Sequence, residues 1–196
     1  MLDALHFLLR SIGGFLILLF LARFYLQAFK ASFRHPLGQF VLALTNWAVL
    51  PARRLLPPLR GYDTASFVLA GFTAFLMHAL MLALTPWSFV FTAPASLLAL
   101  VVVSVLELFK MSLYLLTAAV IGQALMSWFS PYNPLMPLFN ALTGPFLRPL
   151  QRVIPPVGHV DITPLILLLV IQLFLSVLIP QLESTILAYV SMVGPA

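Results

Sequence analysis

The chain has 196 residues, 62% of them hydrophobic and 8% charged, with a net charge of +5 and a mean hydropathy of +1.09, whereas an ordinary soluble domain carries roughly 25% charged residues. So sparse a polar complement excludes a water-soluble globule and points to the bilayer, where helices stay apolar on every side because their backbone groups are satisfied internally. Zero cysteines exclude disulfides, thiolate metal centres and a catalytic thiol, and ten Lys/Arg scattered over an apolar chain read as topology determinants and anionic-lipid contacts, not as a nucleic-acid surface.

The first predicted element is a membrane-spanning helix over residues 4–29. Its apolar run continues through Arg23 with no A-x-A cleavage site, and Asp3 stands where a signal peptide carries its basic region, so the segment reads as retained. The stretch from Arg10 to Lys30 covers about 30 Å as a helix, the hydrocarbon thickness. Arg23 then lies about 10 Å below the interface. A charge at that depth is a functional candidate by default, and snorkelling to the cytoplasmic face is the equally simple alternative.

Residues 36–58 form an interfacial segment. Phe40, Val41, Leu44 and Trp47 recur at helical spacing until Pro51 is expected to break the run, and the piece is too short to span. Arg53, Arg54, Pro57 and Pro58 follow it, and Asp63 is expected to cap a second span over residues 64–84.

The order then repeats. Pro36 to Ser66 aligns without a gap on Pro134 to Pro164, an offset of 98, with ten identities that include Thr45/Thr143, Arg54/Arg152, the double prolines and Asp63/Asp161. Upstream the offset becomes 100, which sets Arg10 on Lys110. Residues 1–86 are thus one copy and residues 87–196 the other. The second holds a long span at 95–129, an interfacial segment at 134–156 carrying Arg148 and Arg152, Asp161 as a cap, a span at 162–180 and a C-terminal helix at 181–193. Pro145 and Pro149 are expected to interrupt its interfacial segment as Pro51 does the first.

Both Lys/Arg-bearing connections, 30–63 and 130–161, are cytoplasmic by the positive-inside rule, while Thr85 to Ala95 holds no basic residue. This requires an even number of crossings between them and puts both termini in the periplasm. A hairpin at Glu107 to Lys110 would invert the second copy, but no turn residue stands there. One long helix, parallel repeats, about four spans in all and a Glu107–Lys110 pair at i,i+3 follow.

Arg53, Arg54, Arg148 and Arg152 are the candidate lipid- or partner-binding residues, since guanidinium forks grip phosphate bidentately; the competing reading is that they only fix topology. His6, His35, His78 and His159 lack ligand spacing, and no paired carboxylates or Ser/His arrangement occurs, so no metal, cofactor or catalytic residue is assigned. Trp47, Trp87 and Trp128 read as interface anchors.

The blocks Ser127-Trp128-Phe129-Ser130-Pro131-Tyr132-Asn133-Pro134, Pro145 to Pro156 and Asp161-Ile162-Thr163-Pro164 resemble the signature of the YggT/YlmG family of bacterial membrane proteins, with Arg34-His35-Pro36 and Pro51 to Pro58 as a degraded first version. Two departures stand out: Gln151 where the family often has a second basic residue, and Gln123 where many members place an arginine. The resemblance covers essentially the whole chain. It implies a small polytopic inner-membrane protein linked to osmotic or envelope stress, to cell-division gene neighbourhoods or, in chloroplast relatives, to cytochrome assembly and nucleoid placement. No enzymatic activity comes with it. The function expected is a non-enzymatic scaffold or assembly factor that touches anionic lipid and membrane, division or assembly proteins, with homo-oligomerisation left open; the alternative is a small channel acting in osmotic stress.

Overall fold

Apolar runs bounded by proline, aspartate and basic residues fold as helices almost throughout the computed structural model, which describes residues 2–59, 61–84, 94–129, 133–154 and 161–193. The helices are α1 (Leu2–Ala28), α2 (Pro36–Leu55), α3 (Thr64–Leu84), α4 (Pro94–Phe129), α5 (Met136–Val153), α6 (Thr163–Leu173) and α7 (Ile179–Val193), the last two joined by a π-turn at Phe174–Leu178. Four stretches are long and apolar enough to cross a membrane: α1, α3, α4 and the continuous run from α6 into α7. Phe15, Phe72, Leu98, Val105 and Leu169 project outward from them, which suits contact with acyl chains.

Close helix approach in lipid depends on small residues, and α1 meets α3 through them. Ala70 and Ala74 are fully buried on α3, and Gly13 lies so near Met77 that a Cβ there would sit 2.7 Å from its sulfur. Ile17, Phe20, Leu21 and Val49 complete this first core. A second core of Leu116, Val120, Leu147, Leu167 and Ile171 joins α4, α5 and α6. Between them lies a seam where Leu19, Ala22 and Leu26 of α1 and Val41 of α2 meet Ala119 of α4 and Leu138 and Leu142 of α5. The two proline-containing helices α2 and α5 therefore contribute to one apolar seam against α1 and α4.

That arrangement needs α4 to cross once, and it does: α4 runs unbroken through Glu107 and Lys110. Its 36 residues extend about 54 Å against a hydrocarbon core of about 30 Å. Glu107, 2% exposed, pairs with Lys110, whose Nζ also reaches Glu183 Oε1 of α7 at 3.1 Å.

Three sequence expectations need correction. Pro51, Pro145 and Pro149 do not break their helices, because each removes a single N–H and leaves the neighbouring turns intact, so α2 reaches Leu55 and α5 reaches Val153. The C-terminal helix is not separate from the last span. The π-turn just before Pro180 lets the ladder pass the missing N–H, with Ile179 N–H donating to Phe174 O. The second interfacial helix also starts at Met136 and not at Pro134. Pro155, Pro156, His159, Arg60 and Trp87 lie outside the described residues.

The turn from α1 to α2 is tightly specified. Ala31 N–H bonds Leu26 O at 2.8 Å and Lys30 N–H bonds Gln27 O at 3.1 Å, the paired bonds of a Schellman motif. The left-handed residue is Lys30, at φ +54°, a conformation that costs a non-glycine residue about 1–2 kcal/mol. Gly38 then packs against the turn, where a Cβ would lie 2.8 Å from Phe33 Cα. Since the obstructing atom is backbone, Gly38→Ala is expected to lower stability by about 1–3 kcal/mol, read as an earlier thermal transition in detergent; an unshifted transition would refute the close approach.

Candidate functional site

The candidate site assembles where α1, α2 and α3 converge. Gly61, at φ +86°, turns the chain between α2 and α3 and brings Asp63 to the start of α3 beneath the side chains of α1. Asp63 is 0% exposed and Arg23 2%. Arg23 Nε donates to Asp63 Oδ2 at 3.2 Å, and its Nη1 donates to Thr45 Oγ1 at 2.8 Å and Asn46 Oδ1 at 2.9 Å. From the other side Arg53 Nη2 reaches Asp63 Oδ2 at 2.7 Å and Gln27 Oε1 at 3.2 Å, while its Nε donates to Asp63 Oδ1 at 3.3 Å. Ser66 Oγ adds a bond of 2.7 Å to Oδ2.

These contacts change what the residues are for. Arg23 does not reach out to the interface; its guanidinium turns inward onto Asp63, Thr45 and Asn46, which give it more partners than snorkelling would. Arg53 faces the same carboxylate with its side chain one-third exposed, so it is not a free surface cation, whereas Arg54, Arg148 and Arg152 are exposed. Arg53 and Arg54 also stand in the last turn of α2, where cations favour the helix C-terminus. Asp63 receives the Ser66 N–H at 3.4 Å, a long capping bond, and its shorter bonds go to Arg53 and the Ser66 hydroxyl.

The equivalent place in the second half carries a neutral arrangement. Gln123, offset 100 from Arg23, donates to Asn140 Oδ1 at 2.8 Å and accepts from Thr143 Oγ1 at 2.6 Å. Gln151, offset 98 from Arg53, donates to Asp161 Oδ2 at 2.8 Å. Asp161 is exposed and accepts the Thr163 N–H at 2.9 Å and hydroxyl at 2.6 Å. Gln27, Thr45, Asn46, Ser66, Asn140 and Thr143 were not singled out from the sequence. The Thr45/Thr143 identity was the available signal, a polar match inside an apolar helix face.

Burial alone would raise the Asp63 pKa, but the hydrogen bonds from Arg53 and Ser66 and the two guanidinium charges outweigh it and hold the carboxyl below its usual value. The ionised group therefore stabilises the fold fully above its unfolded-state pKa of about 4, and that contribution is lost as pH falls through the lower folded-state value. Among the described residues no group of three or more His, Cys, Asp or Glu converges as a metal site would require. What the cluster can do is lock α2 to the two candidate spans α1 and α3.

Asp63→Asn is expected to cost about 3–5 kcal/mol, because it leaves two guanidinium groups facing a neutral amide in a buried place; Arg23→Gln should cost less, since Arg53 still pairs Asp63. Thermal melts in detergent test the ranking, and a D63N protein as stable as the parent would overturn it. The gap between parent and D63N should hold steady from about pH 8 to about pH 5 and close on acidification below about pH 4.

A family model described as CCB3/YggT matches residues 2–84 and 96–182. Uncharacterized protein PA0392 of Pseudomonas aeruginosa is 30% identical over 180 residues, covering 91% of this chain and 89% of that protein. An uncharacterized protein encoded 3′ of proC in Vibrio alginolyticus is 30% identical over 172 residues, 87% and 90% of the two chains. Uncharacterized protein YggT of Escherichia coli K12 is 28% identical over 184 residues, 93% of each. No solved structure matches the chain.

Proposed function

This chain belongs to the CCB3/YggT family, and from that premise we propose that it serves as a non-enzymatic, multi-pass inner-membrane scaffold or assembly factor acting in envelope or osmotic stress or cell division. Its working surface in this reading is the paired interfacial helices α2 and α5, facing the cytoplasm and offering arginines to anionic headgroups or partner proteins, with both termini in the periplasm.

The observation that carries the reading is the clamp at Asp63. A surface meant to recognise partners must hold its shape, and the bonds from Arg23 and Arg53 tie α2 to α1 and α3. Joined to α2 through the same apolar seam, α5 exposes Arg148 and Arg152 while α2 exposes Arg54. The binding role rests on these three arginines, and Arg53 serves the clamp.

Charge reversal separates the two roles. The triple variant Arg54→Glu, Arg148→Glu, Arg152→Glu is expected to lower the melting temperature only slightly, through the glutamates placed at the C-termini of α2 and α5, yet lose anionic-vesicle binding, partner crosslinks and stress tolerance. Arg53→Glu alone should lower the melting temperature, since it sets a second carboxylate against Asp63. A triple variant with unchanged crosslinks and tolerance would reject the reading.

A further inference from the structure

We propose that the cleft between the two halves of the protein seats one acyl chain of an anionic phospholipid, with Lys30 holding its phosphate at the mouth. The cleft has a volume of about 190 Å³ and is walled by α1, α4 and α5, with Tyr25, Phe29, Ser112, Ala119, Leu142 and Phe146 among its lining. Its two polar side chains are already matched to each other, Tyr25 Oη donating to Ser112 Oγ at 2.9 Å, while Ser112 Oγ donates to Leu108 O at 2.7 Å. No group is left over to bind a polar solute.

An apolar cavity of roughly 150 Å³ stays dry and takes a benzene-sized guest, so this one has room for a length of hydrocarbon and none for a helix. Its walls belong to membrane-spanning helices, and the hydrocarbon present around them is lipid. Phe109 and Phe146 are each partly exposed along the cleft, so it opens sideways. At the other wall Phe29 meets Phe146 edge to face, with ring centroids 6.4 Å apart.

The headgroup assignment comes from a second observation. Lys30 follows Phe29 directly, occupies the left-handed position that glycine ordinarily fills, and is exposed. Its side chain has no hydrogen-bond or ion-pair partner among the described residues. The sequence from Lys30 to Leu56 contains no Asp or Glu to neutralise it. A lysine kept at a strained site with no protein partner is placed to meet an external anion, and at the end of a spanning helix that anion is a lipid phosphate.

The site is separate from the exposed arginines, so reversal of Arg54, Arg148 and Arg152 should leave it intact. The test is native mass spectrometry of the full chain in detergent with phosphatidylglycerol or phosphatidylcholine of matched chains. The parent should retain one phosphatidylglycerol in preference to phosphatidylcholine. Lys30→Gly, which suits the left-handed turn and should fold, should weaken phosphatidylglycerol retention by about fivefold, one lysine's attraction to an anionic surface, and weaken phosphatidylcholine less, since its choline offsets the phosphate. Ala119→Phe, which fills the cleft, should abolish retention of both. Should that variant fail to fold, Phe146→Trp in a chain with Trp47, Trp87 and Trp128 replaced by Phe keeps the cleft open, and its fluorescence should be quenched by chain-brominated phosphatidylglycerol. Absence of a retained lipid in the parent, an unaltered preference in Lys30→Gly, retention surviving in folded Ala119→Phe, no quenching of Phe146→Trp, or a neutral isoprenoid retained in place of phospholipid would each overturn the proposal.

Discussion

A single carboxylate, Asp63, sits in a buried place between two guanidinium groups, and the placement of α2 depends on it. Asp63 and Arg23 are shut off from water and must be satisfied by protein, while Arg53 reaches in from a partly exposed position. The donors and acceptors come from α1, α2 and α3 at once: Gln27, Thr45, Asn46 and Ser66 occupy the remaining bonding positions. Such a cluster adds little net stability over a well-packed apolar replacement. Its value lies in direction, since hydrogen bonds admit one register of α2 where packing alone would admit several.

The two sequence-related halves meet the same need with different chemistry. Where the first has Arg23, Arg53 and a buried Asp63, the second has Gln123, Gln151 and an exposed Asp161. The changes go together physically. Once the carboxylate is in contact with solvent it no longer requires cations, and neutral amides avoid the desolvation that buried charge incurs. The first half consequently holds its carboxylate by buried charge, while the second, among the described residues, leaves Arg148 and Arg152 exposed and without an ion pair.

The spans were legible because a bilayer imposes a length and an apolar composition that can be read directly, and the absence of a turn residue at 107–110 correctly gave a single long α4. The internal prolines were misjudged at Pro51, Pro145 and Pro149, since a proline's effect depends on whether neighbouring turns and packing supply what its missing N–H removes. At the site, Arg23 and Asp63 were recognisable as unusual charges, but their partnership was not, because forty residues separate them. Asp63 looked sufficiently explained as a helix cap, and Arg53 looked like one more surface cation. Only the fold brings α1 over the α2–α3 turn and reveals that the three residues belong together.

The π-turn at Phe174–Leu178 acts as a local slack-absorber. A π-turn takes one residue more than an α-turn, so the surplus is taken up in place and the segment beyond keeps the faces it would otherwise present. Beyond it, Glu183 of α7 meets Lys110 of α4 at 3.1 Å. The last helix can therefore carry Pro180 in its interior without a break and still hold its far end against α4.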